Sequence, residues 1–153
     1  MTGRTIIAID PGNVESAYVV MRDSDGIIEK GKIDNDSMLQ KVYEFHEFYP
    51  DCELYIEMVA SYGMAVGKSV FDTVFWIGRF FQAYYKEPKL IYRKDVKMHH
   101  CNSMRAKDGN IRQALIDKYG EPGTKKAQGF TYGVSKDIWS ALAIATYIFE
   151  SNK

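Results

Sequence analysis

Cysteine is scarce in this chain: Cys52 and Cys101 are the only two in 153 residues. Two thiols cannot build a disulfide framework, and such usage suits a reducing compartment. Proline is equally sparse, with four scattered residues and no Gly/Ser-rich tract that would mark a linker. Residues 1–153 therefore read as one domain. Long apolar runs are missing as well. The longest are broken by charge, which excludes a membrane-spanning helix. The opening MTGRTIIAID carries one basic residue and a four-residue apolar run before Asp10, unlike a secretory signal. A cytoplasmic protein is expected.

Net charge is also absent, with 20 basic against 20 acidic side chains. The distribution is uneven, however. Residues 1–57 hold 5 basic and 12 acidic groups, a balance of −7, and residues 86–126 hold 11 and 5, a balance of +6. Such a chain can hold cations at one place and a polyanion at another, although two solvated faces would give the same count. With 46% apolar residues it can fold around a core, which excludes a disordered binding segment.

The first 35 residues read as three antiparallel strands: TIIAID, then SAYVVM after the Pro11-Gly12-Asn13 break, then IIEKGKI after the DSDG turn. A helix follows, capped by Asn35 or Asp36 and ended by Pro50, with Met38, Leu39, Val42, Phe45 and Tyr49 at helical spacing. LYIEM is a fourth strand and KLIY a fifth. Residues 69–85 form a helix that is apolar nearly all round. Phe71, Phe75, Trp76 and Phe80 exceed what one small core can face, so they are expected at a homodimer interface. Asp108 is expected to cap a helix running to Tyr119, and Ser135 to cap a last helix with Ile138, Ala141, Leu142, Ala145, Ile148 and Phe149 inward. The fold class is α/β, a central mixed five-stranded sheet with three antiparallel strands first, flanked by helices.

Three carboxylates stand out. Asp10 ends the first strand, Glu57 sits at the end of the LYIEM strand, just before Met58, among apolar neighbours, and Asp137 lies in the first turn of the last helix. Asp10 also fits a turn former, and Asp137 a helix-start acid. Glu57 has the poorest structural account, since a carboxylate at the end of a buried strand is costly unless paired or bound to a cation. Oxygen-only clusters select hard divalent ions, Mg²⁺ with Mn²⁺ as a substitute, and such ions support phosphodiester hydrolysis. The basic stretch would hold phosphates through Arg93, Lys94 and Lys97, interleaved with the aromatic Tyr92, and through Arg105, Lys107, Arg112, Lys125 and Lys126.

Two motifs act as decoys. GMAVGKS, Gly63 to Ser69, is one residue short of a P-loop, so no nucleotide cofactor is expected; it suits a DNA-facing loop carrying Lys68. His99, His100 and Cys101 lack the spacing of a zinc site and read as surface or DNA-facing groups, while His46 reads as a satisfied core histidine.

Four segments in order carry a family resemblance. IIAIDPGNVESAYVV, YIEMVASYG, VKMHHCNSMRAKDGNIRQAL and KDIWSALAIATYIF resemble the corresponding parts of RuvC-type Holliday junction resolvases, of the ribonuclease H-like superfamily. The wording is closest to phage-borne members. The resemblance implies a ribonuclease H-like fold and a homodimeric, Mg²⁺-dependent crossover junction endodeoxyribonuclease of DNA recombination and repair, acting by paired nicking in a bacterial cell. Asp10, Glu57 and Asp137 match its first three catalytic acids. Ser140 stands where the fourth acid would be, as a weaker ligand or one acting through water. Lys97 matches a basic residue of the DNA segment, and Lys107 falls one position from a second. Ala60 occupies the place of the stacking aromatic, with Tyr62 as its substitute. Two alternatives remain: a weakly catalytic or non-catalytic branched-DNA binding protein, and a nuclease of this fold acting on other structured nucleic acid.

Overall fold

The computed structural model describes residues 3–23 and 25–151. Three strands open it as a meander: β1 (Thr5–Asp10), β2 (Glu15–Arg22) and β3 (Gly26–Asp34). Helix α1 (Asn35–Phe48), strand β4 (Glu53–Met58), helix α2 (Lys68–Ala83) and strand β5 (Lys89–Tyr92) follow. Three helices complete the chain: α3 (Arg93–Cys101), α4 (Asp108–Tyr119) and α5 (Ile138–Ser151). The sheet order is β3-β2-β1-β4-β5. The meander pairs antiparallel, whereas β4 joins β1 in parallel and β5 joins β4 in parallel. None of the described helices is long and apolar enough to cross a membrane.

Alternation along the central strands separates two cores. Ile7 and Ile9 of β1, with Leu54 and Ile56 of β4, pack under α1 and α2. Ile6 and Ala8, with Tyr55, face α3, α4 and α5. Helix α5 is buried almost continuously from Ile138 to Ile148. Its Ala141, Ala143 and Ala145 allow close approach to the sheet, while Leu142, Ile144 and Ile148 each contribute about 1.5–3 kcal/mol by burial.

Several local expectations need correction. Asp34, not Asn35 or Asp36, caps α1: its carboxylate accepts from the Ser37 backbone N–H at 3.0 Å. Asn35 instead turns inward, donating to the Gly12 carbonyl and accepting from Ser16 Oγ, which fastens the loop after Asp10. Gly12 serves that turn, because a Cβ there would meet the Glu15 carbonyl oxygen at 2.3 Å. Lys107 rather than Asp108 precedes α4, and Ser135 lies three residues ahead of α5. Helix α3 was not expected at all. It buries only Val96 and starts directly after β5, so it shows neither apolar periodicity nor a boundary. Phe80 is fully enclosed in the core beneath α2 and cannot belong to a dimer interface; Trp76 is partly buried beside it. Phe71 and Phe75 are 63% and 67% exposed. His46 is not satisfied either. Its Nδ1 is buried without a partner, and the ring stacks on Tyr85.

One polar knot ties β2 and β3 to α1. Glu29 accepts from the Tyr18 and Tyr49 hydroxyls at 2.5 and 2.6 Å and from Lys41 Nζ at 2.7 Å. Partial burial pushes the Glu29 carboxyl up, but the hydrogen bonds from Lys41, Tyr18 and Tyr49 outweigh it and hold it below its ordinary range. Its stabilisation is therefore present above the unfolded carboxyl pKa and is lost as pH falls through the lower folded value. Glu29→Ala should remove about 1–2 kcal/mol at pH 7 and progressively less as the medium is acidified. Thermal melts at a series of pH values check this; an equal loss at neutral and strongly acidic pH would contradict it.

Candidate active site

Asp10 ends β1, and Glu57 is the last residue but one of the neighbouring strand β4. Ile9 of β1 lies opposite Ile56 of β4, so the next residues stand side by side at the carboxyl end of the parallel pair. They follow the alternation of Ile6, Ala8 and Tyr55, which directs both toward the α5 layer. Asp137 enters from α5. Its carbonyl accepts from the Ser140 and Ala141 N–H groups at 3.0 and 3.2 Å, making it the residue from which the helix springs. Lys136 before it adopts a left-handed φ of 47°, which turns the chain into the helix. The packing of α5 on β1 thus brings three carboxylates to one end of the sheet.

Their electrostatics reflect that convergence. Asp10 is pushed up to about 8 by burial first, then by the negative charges of Glu57 and Asp137, with Arg93 and Lys32 opposing. Glu57, only 9% exposed, is also raised by burial, against the pull of Arg93 and Lys97. Asp137 is the most open of the three and pairs with Lys32 Nζ at 2.9 Å. Arg93 donates to Glu57 Oε1 at 3.3 Å and to Asp108. A cleft of about 230 Å³ beside them is lined by Asp137, Ser140, Arg93, Asp108 and Arg112. The three carboxylates, Asp10 among them pushed up to about 8 chiefly by burial, are of the oxygen-donor type that hard divalent cations take, although their ligand atoms do not all come within 4.8 Å of one another. Ser140 lines the same cleft as Asp137.

Cations cluster next to the acids. Tyr62, Arg93, Lys94, Lys97, Met104 and Arg105 line a second cleft of about 480 Å³, and Arg93 belongs to both. Helix α3 presents Arg93, Lys94 and Lys97 there, so the element missing from the sequence reading organises this surface. Tyr62 is 62% exposed on the β4–α2 loop, with a left-handed φ of 50°. Lys107, Lys68, Lys125 and Lys126 line neither of these clefts. Lys107 sits at the start of α4, Lys68 pairs with Asp72 on α2, and Lys125 and Lys126 are exposed on the α4–α5 loop.

Three residues, Lys32, Asp108 and Met104, escaped the sequence reading of the site. Lys32 could have been found by counting register, since Asp10 pairs with Ala17 and Ala17 with Lys32, one row across three strands. Asp108 and Met104 gave no local signal beyond ordinary polar or loop character, whereas Arg112, counted in the basic stretch, lines the cleft beside Asp137. His99, His100 and Glu150 lie with potential ligand atoms within 4.8 Å of one another. They sit at the far end of α5, about 20 Å along the helix from Asp137. There His99 and Lys118 both pair with Glu150, and His100 bonds the Ala143 carbonyl, tying α3 and α4 to α5. The histidines are thus structural cross-links.

No protein-family profile matches the sequence, and no curated protein is similar to it. Solved structures are similar in fold. The structure of Thermus thermophilus RuvC superposes with a TM-score of 0.71 at 13% identity, covering 97% of this chain and 96% of that one. T. thermophilus RuvC in complex with a Holliday junction substrate gives 0.73 at 13% identity, covering 97% and 94%. A five-stranded mixed sheet with its antiparallel meander first, helices on both faces and agreement over nearly the whole length give this chain the RuvC fold, a ribonuclease H-like arrangement.

Proposed function

We propose that the chain, acting as one domain, is a divalent-metal-dependent endonuclease that resolves four-way DNA junctions by paired nicking. The observation that carries this reading is the meeting of Asp10, Glu57 and Asp137 at one sheet end beside a cation-lined cleft. The RuvC fold supports it, and a T. thermophilus protein of that fold is described in complex with a Holliday junction substrate. Asp10, Glu57 and Asp137 would hold Mg²⁺ or Mn²⁺, with Ser140 bonding a water of its shell. When bound, such an ion activates water and stabilises charge on the scissile phosphate.

The chain's own residues do the rest. Arg93, Lys94, Lys97 and Arg105 neutralise phosphates along the second cleft and set the strand's register. Tyr62 offers an exposed ring on which an unstacked base can lie. Helix α2, through Phe71, Phe75 and the exposed part of Trp76, would join two copies so that two sites act on opposed strands. A branched-DNA binding protein without cleavage is the second reading. It is favoured by Ser140 in place of a fourth acid and by the cations already resting on Glu57 and Asp137.

Competition binding tests the recognition half of this proposal. A labelled four-way junction should resist excess linear duplex, and its affinity should fall steeply with salt. Lys97→Ala should reduce the log–log salt slope by about 0.9, one phosphate contact. Lys125→Ala, outside the cleft, should change it less. Equal competition by duplex, or a slope indifferent to Lys97, would contradict the assignment.

A further inference from the structure

Two of the three acids already carry a positive partner supplied from elsewhere in the fold. Arg93, at the start of α3, donates to Glu57 at 3.3 Å, both side chains being largely buried. Its other arm reaches Asp108 on α4, a carboxylate left open to solvent. Lys32 reaches Asp137 from β3, in the same cross-strand row as Asp10. Glu57 and Asp137 are thus each met by a cation. Arg93 also lines the cleft that holds Tyr62, Lys94, Lys97 and Arg105, so its guanidinium stands at the junction of the acid cluster and the phosphate-binding surface.

We propose that Arg93 and Lys32 are built-in counter-ions that hold the acid cluster in its metal-free state, and that Arg93 transfers from Glu57 to a DNA phosphate when a divalent ion enters. This rests on the reading of the acids as a metal centre. A guanidinium on Glu57 and a divalent ion beside Glu57 compete for the same oxygens. Without Arg93 and Lys32, Glu57 and Asp137 would lose their counter-charges beside Asp10, at a cost to folding that falls mainly on the buried Glu57. Asp108 is a suitable tether because an exposed ion pair is weak and is readily exchanged for a phosphate. The device links the two ligands. An ion releases Arg93 for DNA, and a phosphate that takes Arg93 frees Glu57 for the ion, so each raises the affinity for the other.

Arg93 acts here as a positioning residue, and the test reads metal affinity rather than turnover. Mn²⁺ binding to the DNA-free full chain is measured by calorimetry and by the loss of the free-ion EPR signal. Arg93→Met should bind Mn²⁺ about 3- to 10-fold more tightly than the wild type, because a competing unit charge has gone. Lys32→Gln should shift it the same way. Arg93→Met should also bind a four-way junction several-fold more weakly in chelator. A merely structural role predicts the opposite for the metal, since a disordered site binds less. Wild-type binding of Mn²⁺ that Arg93→Met and Lys32→Gln leave unchanged or weaken would overturn the exchange alone. Failure of the wild type and both variants to bind Mn²⁺ would overturn the metal centre, and the exchange with it.

Discussion

Asp10→Asn and Glu57→Gln are each expected to lower cleavage of a four-way junction by about 10³-fold or more, while junction affinity stays within about threefold of the wild type. The separation follows from the layout. Asp10 and Glu57 lie at the carboxyl ends of β1 and β4, whereas the cations lining the second cleft come from α3 and the loop after it. A second signature accompanies the first. Burial, then Glu57 and Asp137, hold Asp10 at about 8, far above its value in an unfolded chain. The folded state therefore binds the extra proton, so the contribution of Asp10 to wild-type stability is greatest below about pH 4 and declines as pH rises toward 8. Asn carries no such charge. In chelator at pH 8, Asp10→Asn should melt at a higher temperature than the wild type, with the difference shrinking at pH 5. Loss of cleavage with gain of stability marks a site strained for function. A variant that loses both would point to a structural role for Asp10.

The double substitution Phe71→Ser, Phe75→Ser is expected to convert a dimer at micromolar concentration into a monomer. The two rings sit one turn apart on the outer face of α2, and Arg79 lies over Trp76 and Phe75 at 4.4 and 6.0 Å. An isologous interface would bury two such rings from each protomer, at roughly 1.5–3 kcal/mol apiece. Their removal should weaken association by about 10⁴-fold or more. The fold should survive, since neither ring belongs to the core. Phe80→Ser, in contrast, should unfold the chain, because that ring is fully enclosed. Sedimentation velocity with thermal melts separates these outcomes. A monomeric wild type would contradict the interface, and paired nicking would lose its structural basis.

The meander and the two acid-bearing strands were legible because their signals are local. TIIAID is a short apolar run that ends on a carboxylate, LYIEM carries one at its last position but one, and DSDG is a strong turn signal. Helix α3 was not legible, since a helix lying on the surface with one buried residue owes its place to packing rather than periodicity. Phe80 was assigned to the outside because α2 is aromatic on nearly every side, and only the position of the sheet decides which ring is covered. Lys32 and Asp108 became visible only through long-range pairing, Lys32 across three strands and Asp108 through Arg93. Arg93 was named from sequence as a phosphate contact, but its pairing with Glu57, and that of Lys32 with Asp137, was not.

The central claim is cleavage, and one denaturing gel measures it. A synthetic four-way junction is labelled on each strand in turn and incubated with the full chain, with Mg²⁺ or with chelator. The account predicts nicks in two opposed strands at symmetry-related positions, dependent on the ion and lost in Asp10→Asn. Four intact strands in the presence of Mg²⁺ and Mn²⁺, with the junction demonstrably bound, would contradict it and leave a branched-DNA binding protein.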